Sequence, residues 1–415
     1  MQSIKQLALR LSALSVYGAV LNRPPLQHLH SLLWAAQDNA KAFAQAWGAF
    51  VAALLQENVQ GNLAQAVEQA VLYDQNPFSL QAASAQGNLS AALTYAVKQD
   101  LATLCEIAQL TPQALLDGSP FAEILQELSL PQWKTGTLPA FLQSTPQQAV
   151  QICRQFYQTH GCGIFARYRA FIWRNHTIIP VAHPDQTSMA DLKEYQEPRR
   201  TVIENTEAFL HGLPANNCLL YGDRGTGKSS TVKAVLNDYF SQGLRVIEMP
   251  KEFLMDFPDL VAKIADLPMK FIVFIDDLSF SQQDSTYASL KAVLEGGVAA
   301  RPQNTLIYAT SNRRHLVRET FSEREGDEIH RRDTTQETVS LADRFGLSVN
   351  FSMPSKTEYL AIIQALAEQR GLEEHLEQLK QGAEQWAIAR GGRSPRCARQ
   401  YMNAAEAKIK LAHKA

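Results

Sequence analysis

Apolar residues recur at helical spacing from the start of the chain: Ile4, Leu7, Leu11 and Leu14 fall three and four apart, with Arg10 interrupting the run. The basic start and apolar middle of this segment resemble a secretory leader, but the periodicity predicts an amphipathic first helix. Further helical patterns, rich in Ala, Leu and Gln, are broken at "NRPP", "QNPF" and "LSLPQW" and predict an all-helical domain over residues 1–178. Beyond residue 200 the pattern changes. Apolar runs such as "CLLYG", "LRVIEMP", "KFIVFIDDLSF" and "TLIYATSN" lack a polar face and alternate with helical stretches at Lys228–Phe240, Asp259–Leu267 and Asp284–Leu294. This predicts an α/β domain over 179–354, a parallel sheet covered on both faces, entered through a Pro-containing linker (Pro180, Pro184, Pro198). A last strand near Leu347–Met353 and three helical patterns, Lys356–Gln369, Glu373–Ala389 and Cys397–Leu411, predict a small helical lid over 355–415.

Charge supports the same division. Residues 1–180 hold 10 Lys+Arg and 9 Asp+Glu, leaving 29 and 32 for the remaining 235, so the charge density changes sharply at the expected boundary. A net charge of −2 gives no global attraction to nucleic acid or anionic membrane. The five cysteines lack a C-x-x-C pair, which predicts buried thiols in a reducing cytoplasm rather than disulfides or zinc. No apolar stretch reaches transmembrane length, so a soluble protein with no membrane partner is expected. His28 and His30 stand two apart, on different faces of a helix, which predicts surface or packing roles rather than a shared metal. The tetrapeptide QGNL, at Gln60–Leu63 and Gln86–Leu89, is explained by helix capping at Asn62 and Asn88. "FARYRAFIWRN" interleaves Arg167, Arg169 and Arg174 with Tyr168, Phe171 and Trp173. It suits either nucleic acid or, the favoured reading, a core-packing helix with solvated arginines.

The chemistry concentrates in "CLLYGDRGTGKSS". Gly222, Gly227, Lys228 and Ser229 fill G-x-x-x-x-G-K-[ST], with Asp223, Arg224, Gly225 and Thr226 inside the loop and Ser230 following. Glycines let backbone N–H groups curl around phosphates, Lys228 reaches the β/γ oxygens, and the Ser229 hydroxyl can join a magnesium shell. The apolar run 271–275 ends in Asp276 and Asp277, two carboxylates at the carboxyl edge of the sheet, where ligands bind in such folds. Asp276 can hold magnesium and Asp277 can orient or deprotonate a water. Asn312 ends the next strand, either polarising that water or touching the γ-phosphate, or else capping a helix at "RRHL". Residues 313–340 read as a long charged surface loop, and Arg344 follows it.

In that order, "GDRGTGKS", "FIVFIDD", "ATSN", "LADRF" and "SPR" resemble the Walker A, Walker B, sensor-1, box-VII and sensor-2 elements of an AAA+ ATPase module, over residues 180–412. "LPANNCLLYG", "FIDDLSF" and "SLADRFGL" look most like a bacterial AAA+ family defined only as a domain of unknown function. The resemblance implies ATP and Mg2+ as ligands, with Lys228 and Ser229 on phosphate and magnesium, Asp276 on magnesium and Asp277 as base. It implies Asn312 as sensor 1, Arg396 as sensor 2, and Ile179–Leu192 near the adenine. Arg344 would be an arginine finger reaching a neighbour's γ-phosphate, which implies a homo-oligomer, although an ion pair with a loop acid such as Glu337 stays open. AAA+ Walker B motifs usually end Asp-Glu; the shorter Asp277 predicts slow hydrolysis. The expected function is ATP-driven remodelling or assembly of a macromolecule, with the helical domain as adaptor for an unidentified protein partner. "PKEFLMDFPDL" has no aromatic-hydrophobic-Gly pore loop, which disfavours threading. An ATP-gated oligomeric switch with little turnover and a nucleic-acid loader are the alternatives, the loader resting only on "ATSNRRH" and the Arg-rich loop. A small-molecule kinase is disfavoured by the lid and the sensor series.

Overall fold

A computed structural model describes residues 4–56, 61–84, 89–134, 138–192, 195–278, 290–291, 293–294, 302–312, 344–390 and 392–412. Contacts divide the chain into two compact units, Met1–Arg167 with Asp266–Pro268, and Tyr168–Ala265 with Met269–Ala415.

The first unit is helical, as the periodicity predicts, and its first helix spans Ile4–Ser12. Its core gathers aromatic side chains whose polar atoms all find partners. Trp47 donates to the Pro131 carbonyl at 2.6 Å, and Trp133 to that of Leu110 at 2.9 Å. The buried Tyr17 and Tyr157 hydroxyls meet at 3.1 Å, and Tyr157 donates onward to the Val71 carbonyl. Asp100, on helix Ala91–Ala108, accepts from the N–H groups of Ser15, Val16 and Tyr17, which ties the chain after the first helix to the middle of the unit. Asn62 caps helix Leu63–Leu72 through the Gln65 N–H. Asn88 lies outside the described residues, and Ser90 caps the helix that follows it. His30 packs as expected, bonded to Ser12 and accepting from the Trp34 indole. All five cysteines are buried, free thiols.

The boundary expected at residue 178 falls at Arg167, and the helix expected across 165–175 is largely a strand. Only Gly163–Arg167 is helical. β1 (Ala170–Arg174) and β2 (Thr177–Pro180) form an antiparallel hairpin turned at Asn175 and His176, both at positive φ. Phe171 and Trp173 alternate inward and are buried while Arg174 is exposed, so these two aromatics pack into the sheet rather than offering a stacking platform for bases. Pro180 accordingly ends a strand, where a linker was expected.

β1 joins a seven-stranded sheet ordered β2-β1-β4-β5-β6-β3-β7, with β3 Cys218–Gly222, β4 Leu244–Glu248, β5 Lys270–Ile275, β6 Thr305–Ser311 and β7 Leu347–Phe351. Every pairing except β1–β2 is parallel. β6 is buried at all seven positions, which requires cover on both faces, as its continuous apolar run predicts. Helices Gln196–Leu210 and Lys228–Tyr239 cover one face through Val202, Phe209, Val232 and Val235. Helix Phe257–Ile264 starts two residues before the predicted start, with Pro258 in its first turn. The helix expected at Asp284–Leu294 lies mostly outside the described residues.

Past β7 the lid is three helices, Lys356–Gln369, Leu376–Ala389 and Pro395–Ala412, packed on their own core of Tyr359, Ile363, Ala383 and Met402. A capping box between Ser355 and Glu358 starts the first of them.

Candidate functional site

β3 delivers its loop to the carboxyl edge of the sheet between β6 and β7. Gly222 sits at φ 129° with the Phe351 carbonyl so near that a Cβ would run into it; any other residue would push the loop off β7. Asp223 then fixes the turn twice, its N–H donating to the Phe351 carbonyl at 3.1 Å and its carboxylate accepting from the Met353 N–H at 2.6 Å. Thr226 donates to the Asp223 carbonyl at 2.8 Å. Helix Lys228–Tyr239 starts at the end of the loop and points its unpaired first-turn N–H groups into it.

Lys228 is 6 % exposed. Its ammonium donates to the carbonyls of Gly222 at 2.9 Å and Asp223 at 2.7 Å, and to Asn312 Oδ1 at 3.3 Å. Burial lowers its pKa from the usual lysine value, against the opposing pull of Asp223, Asp277 and Asp276. An anion entering the loop therefore meets a cation already stripped of much of its water.

The two acids follow β5. Asp276 Oδ1 accepts from Ser229 Oγ at 2.6 Å and from Thr310 Oγ1 at 2.5 Å. Asp277 adopts φ 51°, a left-handed conformation that a short polar side chain tolerates better than a longer one. Its N–H donates to Thr310 Oγ1 at 2.9 Å, and its carboxylate accepts from Asn312 Nδ2 at 2.6 Å. Asn312 thus bridges the loop lysine and the second acid with the two ends of one amide. The residues it was alternatively expected to cap lie outside the described ones. Ser229 and Asp276 converge as hydroxyl and carboxylate, a hard oxygen pair that fits magnesium.

Lid and loop enclose a cavity of about 600 Å³, lined from the core by Arg224, Gly225, Gly227, Lys228, Ser229, Ser230, Asp276, Asp277 and Asn312, and from the lid by Arg396. This volume suits a small-molecule ligand. The first turn of helix Pro395–Ala412 touches the loop, the Arg396 N–H donating to the Gly225 carbonyl at 3.2 Å. Of the stretch 179–192, Asp191 and Leu192 line the cavity.

Arg344 is not brought to this cavity. It precedes β7, whose first residue pairs with Cys218 while its last pairs with Gly222. Arg344 is therefore at the opposite sheet edge from its own phosphate loop, roughly 13 Å of strand away.

Three residues that sequence reasoning missed belong to the site: Thr310, which holds both acids; Arg199, buried on helix Gln196–Leu210 and lining the cavity; and Arg399 on the lid. Thr310 carried a signal inside "ATSN"; Arg199 reaches the loop only through the packing of its helix.

A parallel sheet with a phosphate loop, paired acids, a polar strand-end amide and a C-terminal helical lid defines an AAA+ module. Within that class the chain belongs to the family described as "Protein of unknown function (DUF815)", whose model matches residues 166–409. It is 34% identical over 94 residues to a 26S proteasome regulatory subunit 4 homolog of Encephalitozoon cuniculi, covering 21% of this chain and 22% of that protein. It is 33% identical over 96 residues to the 26S proteasome regulatory subunit 4 homolog of Oryza sativa subsp. japonica, covering 21% of each. The chain thus spans about a fifth of the length of the curated relatives it matches. A solved structure described as the Thermotoga maritima RuvB Holliday junction branch migration motor aligns with 52% of this chain and 72% of its own, at 15% identity and a TM-score of 0.31. Among the described residues, no helix is long and apolar enough to cross a membrane.

Proposed function

We propose that the protein binds ATP with Mg2+ in this cavity and hydrolyses it slowly, as an oligomer whose subunits complete one another's sites. The observation that carries this reading is the Lys228–Asn312–Asp277 bridge beside the Ser229–Asp276 pair. In it, groups suited to holding a triphosphate and activating a water meet at one sheet edge.

The phosphate-loop N–H groups and Lys228 bind the polyphosphate, and Ser229 with Asp276 hold magnesium, which would supply charge neutralisation at the phosphate oxygens. Asp277 accepts the proton of the attacking water while Asn312 fixes its carboxylate and reports to Lys228. Arg396 contacts the nucleotide from the lid, and its amide already rests on the loop. Arg344, at the far edge of its own sheet, acts on a neighbouring subunit. The drive is used for remodelling or assembly of a macromolecular partner recruited by the helical unit.

The test is the ATPase rate against protein concentration for wild type, Arg344→Ala and Lys228→Ala, and for an equal mixture of the two variants. A rate per subunit that climbs with concentration, and a mixture more active than either variant, is expected, because arginine fingers contribute roughly 10³ to 10⁵ in rate. A flat rate with a silent Arg344→Ala would remove the trans assignment and favour an ATP-gated switch.

A further inference from the structure

Four residues of helix Pro395–Ala412 line the cavity: Arg396, Arg399, Gln400 and Asn403. Their spacing, i, i+3, i+4 and i+7, is that of a single helix face. The packing is done by another face, through Cys397, Ala398 and Met402 in the lid core, and the cavity face is polar throughout. Among the described residues, neither the Arg396 nor the Arg399 guanidinium has a hydrogen-bond or ion-pair partner. Arg393, by contrast, is engaged by Glu384 at 3.0 Å. Two arginines facing a cavity without partners carry a charge that a bound anion would satisfy.

The helix also has a direction. Its first turn rests on the phosphate loop through the Arg396 N–H and the Gly225 carbonyl, so later residues lie progressively farther from that contact. Arg399 stands about 4.5 Å beyond Arg396 along the axis, and Asn403 about 10 Å. The cavity also has apolar lining, Ile362 and Leu366 from the lid and Leu192 from the core. The order guanidinium, guanidinium, carboxamide beside apolar side chains matches a ligand that runs from polyphosphate through sugar to base.

We propose that Arg399 is a second nucleotide-binding arginine of the lid, contacting the nucleotide on the α-phosphate and ribose side of Arg396, so that the lid is held by two cations in series. This rests on the reading of the cavity as a nucleoside-triphosphate site. The same contact is available in ATP and ADP, because both carry the α-phosphate and the ribose.

The test is equilibrium binding of mant-ATP and mant-ADP, each with Mg2+, to full-length wild type, Arg399→Ala, Arg399→Gln and Lys228→Ala, with the melting temperature of each unliganded protein alongside. Both Arg399 variants are expected to weaken both nucleotides by roughly 10- to 100-fold, with melting temperatures unchanged. Should Arg399→Ala disturb the lid, Arg399→Gln, which keeps more of the side chain and its polarity, carries the comparison. Affinities within twofold of wild type for both nucleotides would overturn the proposal, as would a loss confined to mant-ATP, which would put the guanidinium at the γ-phosphate. If wild type fails to bind, or Lys228→Ala binds as wild type does, the nucleotide reading itself falls and this inference falls with it.

Discussion

Thr310 is the residue on which both acids depend. One hydroxyl donates to Asp276 and accepts from the Asp277 N–H, at 2.5 and 2.9 Å, in a position that is 2 % exposed. Thr310→Val keeps the shape and removes both bonds, leaving the Asp277 N–H only its 3.2 Å contact with Asp276 Oδ1, at a cost of about 0.5–1.5 kcal/mol for each hydrogen bond lost. Denaturant unfolding should show that loss together with a fall in turnover, and Thr310→Ser should restore both; a Val variant with wild-type turnover would show that the acids hold their places without it. Asp277 carries a separate expectation. Asp277→Asn keeps the φ 51° turn accessible, since Asn tolerates that conformation, but gives up the proton acceptor. ATP binding should persist while hydrolysis drops by about 10²- to 10⁴-fold, the range of a general base. Full turnover in this variant would end the assignment of Asp277 as base. The left-handed backbone also offers a physical reason for Asp where the resemblance implies Glu, since the shorter side chain suits this turn.

Between elements, the decisive junction is lid on loop. Gly225 sits at φ 78°, and a Cβ there would lie 2.9 Å from Ser394 Oγ and 3.2 Å from the Arg396 Cβ. Gly225→Ala therefore combines left-handed strain of about 1–2 kcal/mol with displacement of the lid's first turn. Reduced nucleotide affinity with a modest loss of stability is the expected result; unchanged affinity would mean that the lid does not need this seat. Junctions such as this were not legible in the sequence. Continuous runs such as "KFIVFIDD" announced buried parallel strands because both faces are apolar, and the glycine loop announced itself by local spacing. The β1–β2 hairpin was hidden, because five residues alternating Phe171 and Trp173 with Ala170, Ile172 and Arg174 also satisfy a short helical pattern. Arg199 and Arg399 were hidden for another reason: their role exists only once two helices meet over the loop, and no local spacing encodes that meeting. Arg344 was legible as a residue, while its separation from its own phosphate loop required the β3–β7 register.

On the scale of the molecule, the helical unit carries a set of titratable groups that the proposed chemistry does not use. Tyr17 and Tyr157 are fully buried, and burial first, then their neighbours, push both phenols well above the ordinary tyrosine value. Burial raises the Cys153 and Cys162 thiols as well, and Cys105 to about 11. All of these groups hold their protons in the folded unit under conditions where the unfolded chain would release them. Their contribution to stability is complete below the unfolded values, about 8.5 for Cys and 10 for Tyr, and declines as pH rises above them. Each group lost from the balance adds a slope of about 1.4 kcal/mol per pH unit. A Trp173→Phe/Trp386→Phe variant leaves Trp34, Trp47 and Trp133, all in the helical unit, as fluorescence reporters. Its melting temperature should be level between pH 7 and 8 and fall progressively toward pH 10.5. Adding Tyr157→Phe should lower the starting stability, through loss of the bonds to Tyr17 and Val71, and flatten the decline near pH 10. A melting temperature that stays level to pH 10.5 would mean that these thiols and phenols are as free to ionise in the folded unit as in the unfolded chain, against the burial that the packing of Tyr17 on Tyr157 imposes.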